Sequence, residues 1–222
     1  MGRVLSYAEA RRFYDHFGSR QDDQGWYEDR ALDVLVEKAE FQQASRVFEF
    51  GCGTGRLAER LLRDALGETA QYVGVDVSST MLRLAGERLA PWPSRAKVLP
   101  SDGTIHLDQE AGTFDRFVST YVLDLLSEDD IRRAIAEARR LLRPGGRLCT
   151  AGITSGATPI SKLIMGAWRA VHRLSPKLVG GCRPISVSYF LSPTQWRQDD
   201  RQTITSYGIS SEVVIASRLA DA

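Results

Sequence analysis

The sequence predicts an α/β chain built on a mostly parallel, doubly wound sheet, and three observations carry that prediction. From Arg46 onward, short β-rich apolar runs alternate with helical segments of roughly 10–15 residues, the pattern of βαβ units with helices on both faces of a sheet. The first of these runs leads directly into a glycine loop, GCGTG at 51–55. Near the carboxyl end, two β-rich runs flank Gly208 with no helix between them, which reads as an antiparallel hairpin at the sheet edge.

Taken in order, residues 7–17 and 29–40 have helical spacing, with Leu32, Leu35, Val36 and Ala39 sharing a face of the second. The stretch GSRQDDQGWYED between them is polar and punctuated by glycine, so it is expected to be a mobile connection. Strand 46–50 is followed by a helix over 56–66. The β-branched run 71–77 forms a second strand, and Ser78 caps a helix to about residue 89. A short third strand covers 96–99 and a fourth 114–120. Ser127, with Asp130 three residues on, opens a helix to about residue 142, and Pro144-Gly145-Gly146 ends it before a fifth strand over 147–153. Pro159–Leu174 is a basic amphipathic helix, 175–191 is Pro- and Gly-rich and irregular, and Ser192-Pro193 is expected to start a short helix.

Composition bounds the function. With 222 residues, 43% apolar and 26% charged, the chain can bury a core as one domain and is not disordered overall. No run approaches the roughly 18 apolar residues of a membrane span. Charges interrupt the amino-terminal segment, so a secretory signal is not expected; Gly2 and Ser6 match the loose Met-Gly-x-x-x-Ser acylation pattern. Cys52, Cys149 and Cys182 are too few and scattered for a disulfide framework, and no Cys or His spacing suits a metal. The expectation is a cytoplasmic protein without metal. A net charge of +1 argues against a DNA partner. It hides an asymmetry, however: between Ala138 and Gln198 there are ten Arg or Lys and no Asp or Glu.

The glycines of VFEFGCGTG let backbone approach a ligand, and the following helix presents free N–H groups. Arg56 stands where a dinucleotide fingerprint needs Gly or Ala, and the Gly-Lys-Ser/Thr of a P-loop is absent, so the loop suits a ligand with little or no phosphate. Asp76, about twenty residues past the glycines, is placed to accept both hydroxyls of a ribose, or else it is a charge at a helix N-terminus beside Ser78. Glu49 is a carboxylate in an apolar strand end, which a cationic ligand group would explain. Asp102 continues the row of acids along the carboxyl edge of the sheet.

In this order, VFEFGCGTGRLAERL, YVGVDVSSTMLRLA, SDGT, GTFDRFVSTYVLDLL and RRLLRPGGRL resemble the successive motifs of class I S-adenosylmethionine-dependent methyltransferases. The resemblance runs from about residue 45 to 153. It implies a Rossmann-like, doubly wound, seven-stranded, mostly parallel sheet with an antiparallel edge strand and a helical lid. It divides the chain into a lid over 1–44, a cofactor-binding core over 45–155, a basic substrate-side insert over 156–191, and a closing helix and hairpin over 192–222. By resemblance, Gly51, Gly53 and Gly55 pass close to the methionine and sugar of S-adenosylmethionine. Glu49 holds the ammonium, Asp76 the ribose, Met81 the adenine face, and Asp102 with Gly103 the adenine edge. Thr120 and Tyr121 border the methyl-transfer centre. Tyr14, Arg20 and Gln21 are lid candidates for the cofactor carboxylate or the acceptor, or parts of an ordinary surface helix.

The acceptor is not given by the motifs. The stretch STYVLD lacks the Pro-Pro of enzymes that methylate base amino groups or protein amides. Asp124 is the first candidate base, with a helix cap or ion pair as its alternative; Tyr121, His16 and His172 follow. In the insert, Lys162, Arg169, Arg173, Lys177 and Arg183 accompany apolar residues. Either the helix packs its apolar face on the sheet with solvated charges, or it lies on an anionic membrane surface and delivers a lipid-like acceptor. The expected function is methyl transfer to a small-molecule or lipid-like acceptor by in-line displacement. The alternatives are transfer to protein or RNA, or cofactor binding without catalysis.

Overall fold

Alternation of the apolar runs translates directly into the chain path. The computed structural model describes residues 4–220, so Gly2 of the acylation pattern lies outside the described residues. Helix α1 (Tyr7–Phe17) passes through a 3₁₀ turn (Gly18–Gln24) into α2 (Gly25–Lys38). The core follows as β1 (Arg46–Phe50), α3 (Arg56–Arg60), β2 (Gln71–Asp76), α4 (Ser79–Arg88), β3 (Ala96–Pro100), β4 (Phe114–Thr120), α5 (Glu128–Leu141) and β5 (Leu142–Ile153). Helix α6 (Pro159–Leu174), β6 (Trp196–Ser206) and β7 (Ile209–Arg218) complete the chain.

The seven strands form one sheet in the order β3-β2-β1-β4-β5-β7-β6. Strands β1 to β5 pair in parallel and β7 runs antiparallel to both β5 and β6. The antiparallel strand therefore sits one place in from the edge, and β6 forms the edge itself. Strand order reverses between β1 and β4, so their connections leave in opposite directions and open a crevice at the carboxyl ends of the strands.

Each face of β1 belongs to a different core. Val47 packs with Leu35, Leu61 and Tyr72 on one side of the sheet. Phe48 stacks on Phe117 and meets Phe114 edge-on on the other, where Ile131 and Leu141 of α5 close the layer. Glu49 shares the Val47 side by the two-residue period of a strand. The base of this arrangement is pinned by an Asp-Arg pair at the start of β4. Asp115 accepts from the backbone N–H of Ser45 (2.5 Å) and Arg46 (2.8 Å) and from Arg143 Nε (2.5 Å). Arg116 donates to the carbonyls of Ala39 and Glu40.

Four local expectations are corrected. The polar connection before α2 is ordered, and α2 begins at Gly25. A Cβ there would lie 2.8 Å from the Arg56 guanidinium and 2.9 Å from the Asp29 carboxylate, so those side chains would have to shift for any other residue. Helix α3 passes into a π-helical turn over Leu61–Ala65. Strand β5 starts at Leu142 and includes the Pro-Gly-Gly, its pairing with β4 shifting register after Phe114. No helix follows Ser192: the N–H groups of Gln195 and Trp196 both donate to the Ser192 carbonyl in a turn, and buried Trp196 then opens β6.

Asp115→Ala removes the acceptor of three donors at the base of the sheet. We expect a loss of about 3 kcal/mol, seen as a lower urea midpoint at unchanged slope. A midpoint within error of the parent would show that the pin carries no stability.

Candidate active site

The crevice at the strand-order reversal is a cavity of about 150 Å³. Its floor is the loop after β1. At Gly51, φ is +80° and a Cβ would lie 2.3 Å from Val122 Cγ2, so only glycine lets this loop lie against the chain after β4. Gly53 faces open space, with nothing within 4 Å of a Cβ placed there. Gly55 does not line the cavity; it packs 3.1 Å from Ala85 of α4 and is a spacing residue between loop and helix.

Two carboxyls look into this floor. Glu49 is buried and accepts from Tyr72 Oη at 2.6 Å; burial pushes its pKa up to about 8 even against that donor, with Asp76 adding to the rise. Asp76 is raised by burial as well, although the N–H groups of Ser78 and Gly53, each at 2.9 Å, oppose the shift. Neither has a Lys or Arg within ion-pair distance among the described residues. Met81, Ser101 and Gly103 line the end beyond Asp76, and a Cβ at Gly103 would lie 2.8 Å from the Tyr7 ring.

Thr120, Tyr121 and Val122 line the opposite end. Tyr121 adopts φ +55°, an unusual conformation for a side chain of its size. It is held by a hydrogen bond to Ser211 Oγ (2.9 Å), by its N–H to the Ala151 carbonyl (2.8 Å), and by the Tyr27 ring, edge-on at 6.0 Å. Beside it, Glu28 of α2 is buried; burial raises its pKa to about 7 despite Arg56, whose Nη2 is 3.3 Å from Oε2. Glu28 Oε1 and Gln21 Oε1 are buried without a hydrogen-bond partner among the described residues, and both residues line the cavity.

The amino-terminal segment forms the roof. Asp15 of α1 accepts from Ser78 Oγ (2.7 Å) and the Thr80 N–H (3.2 Å) at the start of α4. Asp22 accepts from Thr54 Oγ1 (2.6 Å) and Arg88 Nη2 (2.7 Å), clasping the glycine loop. Tyr14 lines the cavity and donates to the Gly180 carbonyl at 3.2 Å, joining α1 to the segment after α6.

Glu49, Gly51, Gly53, Asp76, Met81, Gly103, Thr120, Tyr121, Tyr14 and Gln21 are thus brought to one cavity; Gly55 and five other expected residues are not. Asp102 is exposed, and its carboxylate turns back onto the N–H and hydroxyl of Thr104 (2.8 and 2.6 Å), whose hydrogen bonds lower its pKa; it edges a separate depression. His16 is exposed on α1, and Arg20 is exposed with its guanidinium over the Phe17 ring. Asp124 is buried outside the cavity, where Oδ2 accepts from the Ile153 N–H (2.9 Å) and its carbonyl from the Arg183 N–H. It ties β5 to the insert, and burial raises its pKa to about 6. His172 is buried against the Gly181 carbonyl (3.1 Å) and positions the cap. Glu28 was missed, because GWYED reads as loop until Arg56 and Tyr121 are placed around it.

A family model described as a methyltransferase domain matches residues 47–146. The ubiquinone/menaquinone biosynthesis C-methyltransferase UbiE of Syntrophotalea carbinolica is 29% identical, over 72% of this chain and 64% of that protein. Residues 47–146 thus carry a methyltransferase domain. Curated relatives that it matches are longer, and the chain spans from 5% to 64% of their lengths. A SAM-dependent methyltransferase from Methanosarcina mazei shares the fold at TM-score 0.65 and 19% identity, covering 84% of this chain and 98% of that one. So does the [4+2]-cyclase SpnF, at TM-score 0.66 and 18% identity, over 87% and 82% of the two chains. Methyl transfer and cyclisation on one fold mean that the function must be argued from the cavity.

Glu28 and Glu49 have folded-state pKa values above the ordinary value, so each favours the folded state when protonated. Their stabilisation is full below about pH 4. It is lost as pH rises through about 7 for Glu28 and about 8 for Glu49. In ligand-free protein, the melting temperature of Glu49→Gln relative to the parent should therefore climb as pH goes from about 5 to about 8. A difference that stays constant over that range would show that Glu49 is ionised in the empty cavity.

Proposed function

We propose that this protein transfers a methyl group from S-adenosylmethionine to a small, largely apolar acceptor. The observation that carries the reading is a pair of carboxyls without a cation among the described residues, buried Glu49 and half-buried Asp76, facing one cavity beside the open face of Gly53. A ligand with an ammonium and a vicinal diol supplies what both lack. When bound, the cofactor supplies an electrophilic methyl group on a sulfonium sulfur.

The chain's own residues have separable tasks. Glu49 takes the ammonium and Asp76 the ribose hydroxyls, each Asp76 oxygen retaining a lone pair beyond its backbone N–H. Met81 and Gly103 bound the base. Tyr121 and Thr120 border the acceptor end, where Leu5, Val122, Leu125 and Leu126 give an apolar lining and the roof excludes water. Glu28 Oε1 is the free acceptor atom at that end. We assign it the proton of the incoming nucleophile, in place of Asp124. The name of the UbiE relative, a quinone-pathway C-methyltransferase, supports an acceptor of this apolar, proton-bearing kind.

Methyl-labelled S-adenosylmethionine incubated with cell extract, then partitioned between organic and aqueous phases, tests the reading. Label in an organic-soluble product is expected. Label in protein or RNA would overturn the small acceptor, and intact cofactor binding with no label anywhere would favour a binding protein without turnover.

Binding itself has a signature. At pH 7 a neutral Glu49 must ionise beside the ammonium, so calorimetry in buffers of different ionisation enthalpy should show net proton release that disappears in Glu49→Gln. Equal heats in all buffers would remove that assignment. Glu28→Gln should lower turnover by about 10²-fold with unchanged cofactor affinity. A parallel loss of affinity would place Glu28 in the cofactor site.

A further inference from the structure

The cap helix α6 has three faces. Met165 and His172 are buried against the domain, and Trp168 donates to the Cys182 carbonyl at 2.9 Å. This satisfies the packing expectation, but it leaves a second apolar stripe pointing outward. Ile160, Leu163 and Leu174 of α6, with Leu178 just beyond it, are 72–86% exposed. Ile160, Leu163, Ala167, Ala170 and Leu174 recur every three or four residues and so form one line along the helix. Lys162, Arg169 and Arg173 follow the same spacing on the adjoining strip, and Lys177 continues it.

The other flank of the stripe is aromatic. Ile164 packs against the β6–β7 turn, where a Cβ on Gly208 would fall 2.2 Å from its Cδ1. Next to Gly208, Tyr207 is 79% exposed and its ring lies 5.4 Å from Trp26, itself 54% exposed. Across the surface the order is therefore cations, aliphatic side chains, then Trp and Tyr. Aliphatic groups favour hydrocarbon, Trp and Tyr favour the headgroup boundary, and Lys and Arg favour anionic headgroups. No described helix is long and apolar enough to cross a membrane, and the 16 residues of α6 are held along the surface by its buried face.

We propose that α6 docks this protein on an anionic lipid surface, with the helix lying in the plane of the interface. A second copy of the chain is the poorer occupant. A two-fold interface through this stripe sets like cation rows side by side, and no Asp or Glu occurs between Ala138 and Gln198 to relieve them. The docked face is also coupled to the cavity. The turn after α6 carries Gly180, which accepts from Tyr14, and Gly181, whose Cβ would lie 2.9 Å from Leu5 and 3.1 Å from Leu125. The proposal does not depend on methyl transfer, so its test uses neither cofactor nor acceptor.

The full chain is sedimented with phosphatidylcholine vesicles containing or lacking roughly one-third phosphatidylglycerol. Binding to the anionic vesicles is expected, falling at high salt. Lys162→Glu with Arg173→Glu should weaken it by about thirtyfold or more, at roughly a fivefold step for each cation removed and more for reversal. Leu163→Asp with Leu174→Asp should abolish it while the circular-dichroism melt stays that of the parent. Brominated lipid should quench parental fluorescence more than that of Trp26→Phe. Absence of binding at low salt, or binding that neither double variant reduces, overturns the proposal. So does a parental dimer in sedimentation velocity that Leu163→Asp dissociates, which would give the stripe to a second copy.

Discussion

Glu49 sets the terms for the rest of the structure. A carboxyl at the end of a central strand is buried, among the described residues, with one donor, the Tyr72 hydroxyl, and no cation. Burying an ionised group that way is costly, so burial pushes the carboxyl toward its neutral form. Asp76 repeats the arrangement on the neighbouring strand with two backbone donors. Residues that would relieve these acids in a purely structural role, a lysine or arginine reaching in from the loop, are turned elsewhere. Arg56 faces Glu28 and Asp29, and Arg88 faces Asp22, Glu59 and Thr54. The cations around the glycine loop fasten the roof, and the floor is left acidic for a positively charged ligand.

That division explains which parts were legible in the sequence. The alternation that makes the βαβ core is local and periodic, so β1 to β4 and helices α4, α5 and α6 fall close to where spacing puts them. Glu49, Asp76 and the glycines stand out because each breaks the apolar pattern of its own strand or turn. Residues whose roles depend on distant partners did not stand out. Gly25 lies under the Arg56 side chain, and Glu28 becomes a site residue only once Tyr121 and Arg56 surround it. Asp124 was legible as a candidate base or as a local cap or ion pair, but its actual partners, Ile153 and Arg183, lie far along the chain. Asp102 is the opposite case: its partner Thr104 is two residues away, and the local turn took the carboxylate that the motif had promised to the cavity.

The roof shows how peripheral segments are tied to the reaction centre. Asp15 docks α1 on the first turn of α4, the same turn whose Ser78 donates its N–H to Asp76. Asp22 holds Thr54, one residue from Gly53. Tyr14 reaches across to the segment after α6. Opening the roof therefore loosens the glycine loop, the ribose-side acid and the cap together. A ligand that fills the floor acts back on the roof through those same bonds, because it favours the arrangement in which Asp76 is ionised and its donors are aligned.

Charge is segregated radially as well as along the chain. Acids line the cavity at Glu28, Glu49 and Asp76, while the insert beyond β5 carries only cations, most of them outward. A net charge near zero thus conceals titratable acids inside and cations outside. On the proposed function, a cationic cofactor is favoured because each inner acid ionises only when it is paired. On the proposed docking, the outer cations beside exposed leucines meet an anionic surface. On the proposed reading, Glu28 is where the acidic cavity side meets the proton that an apolar acceptor has to lose.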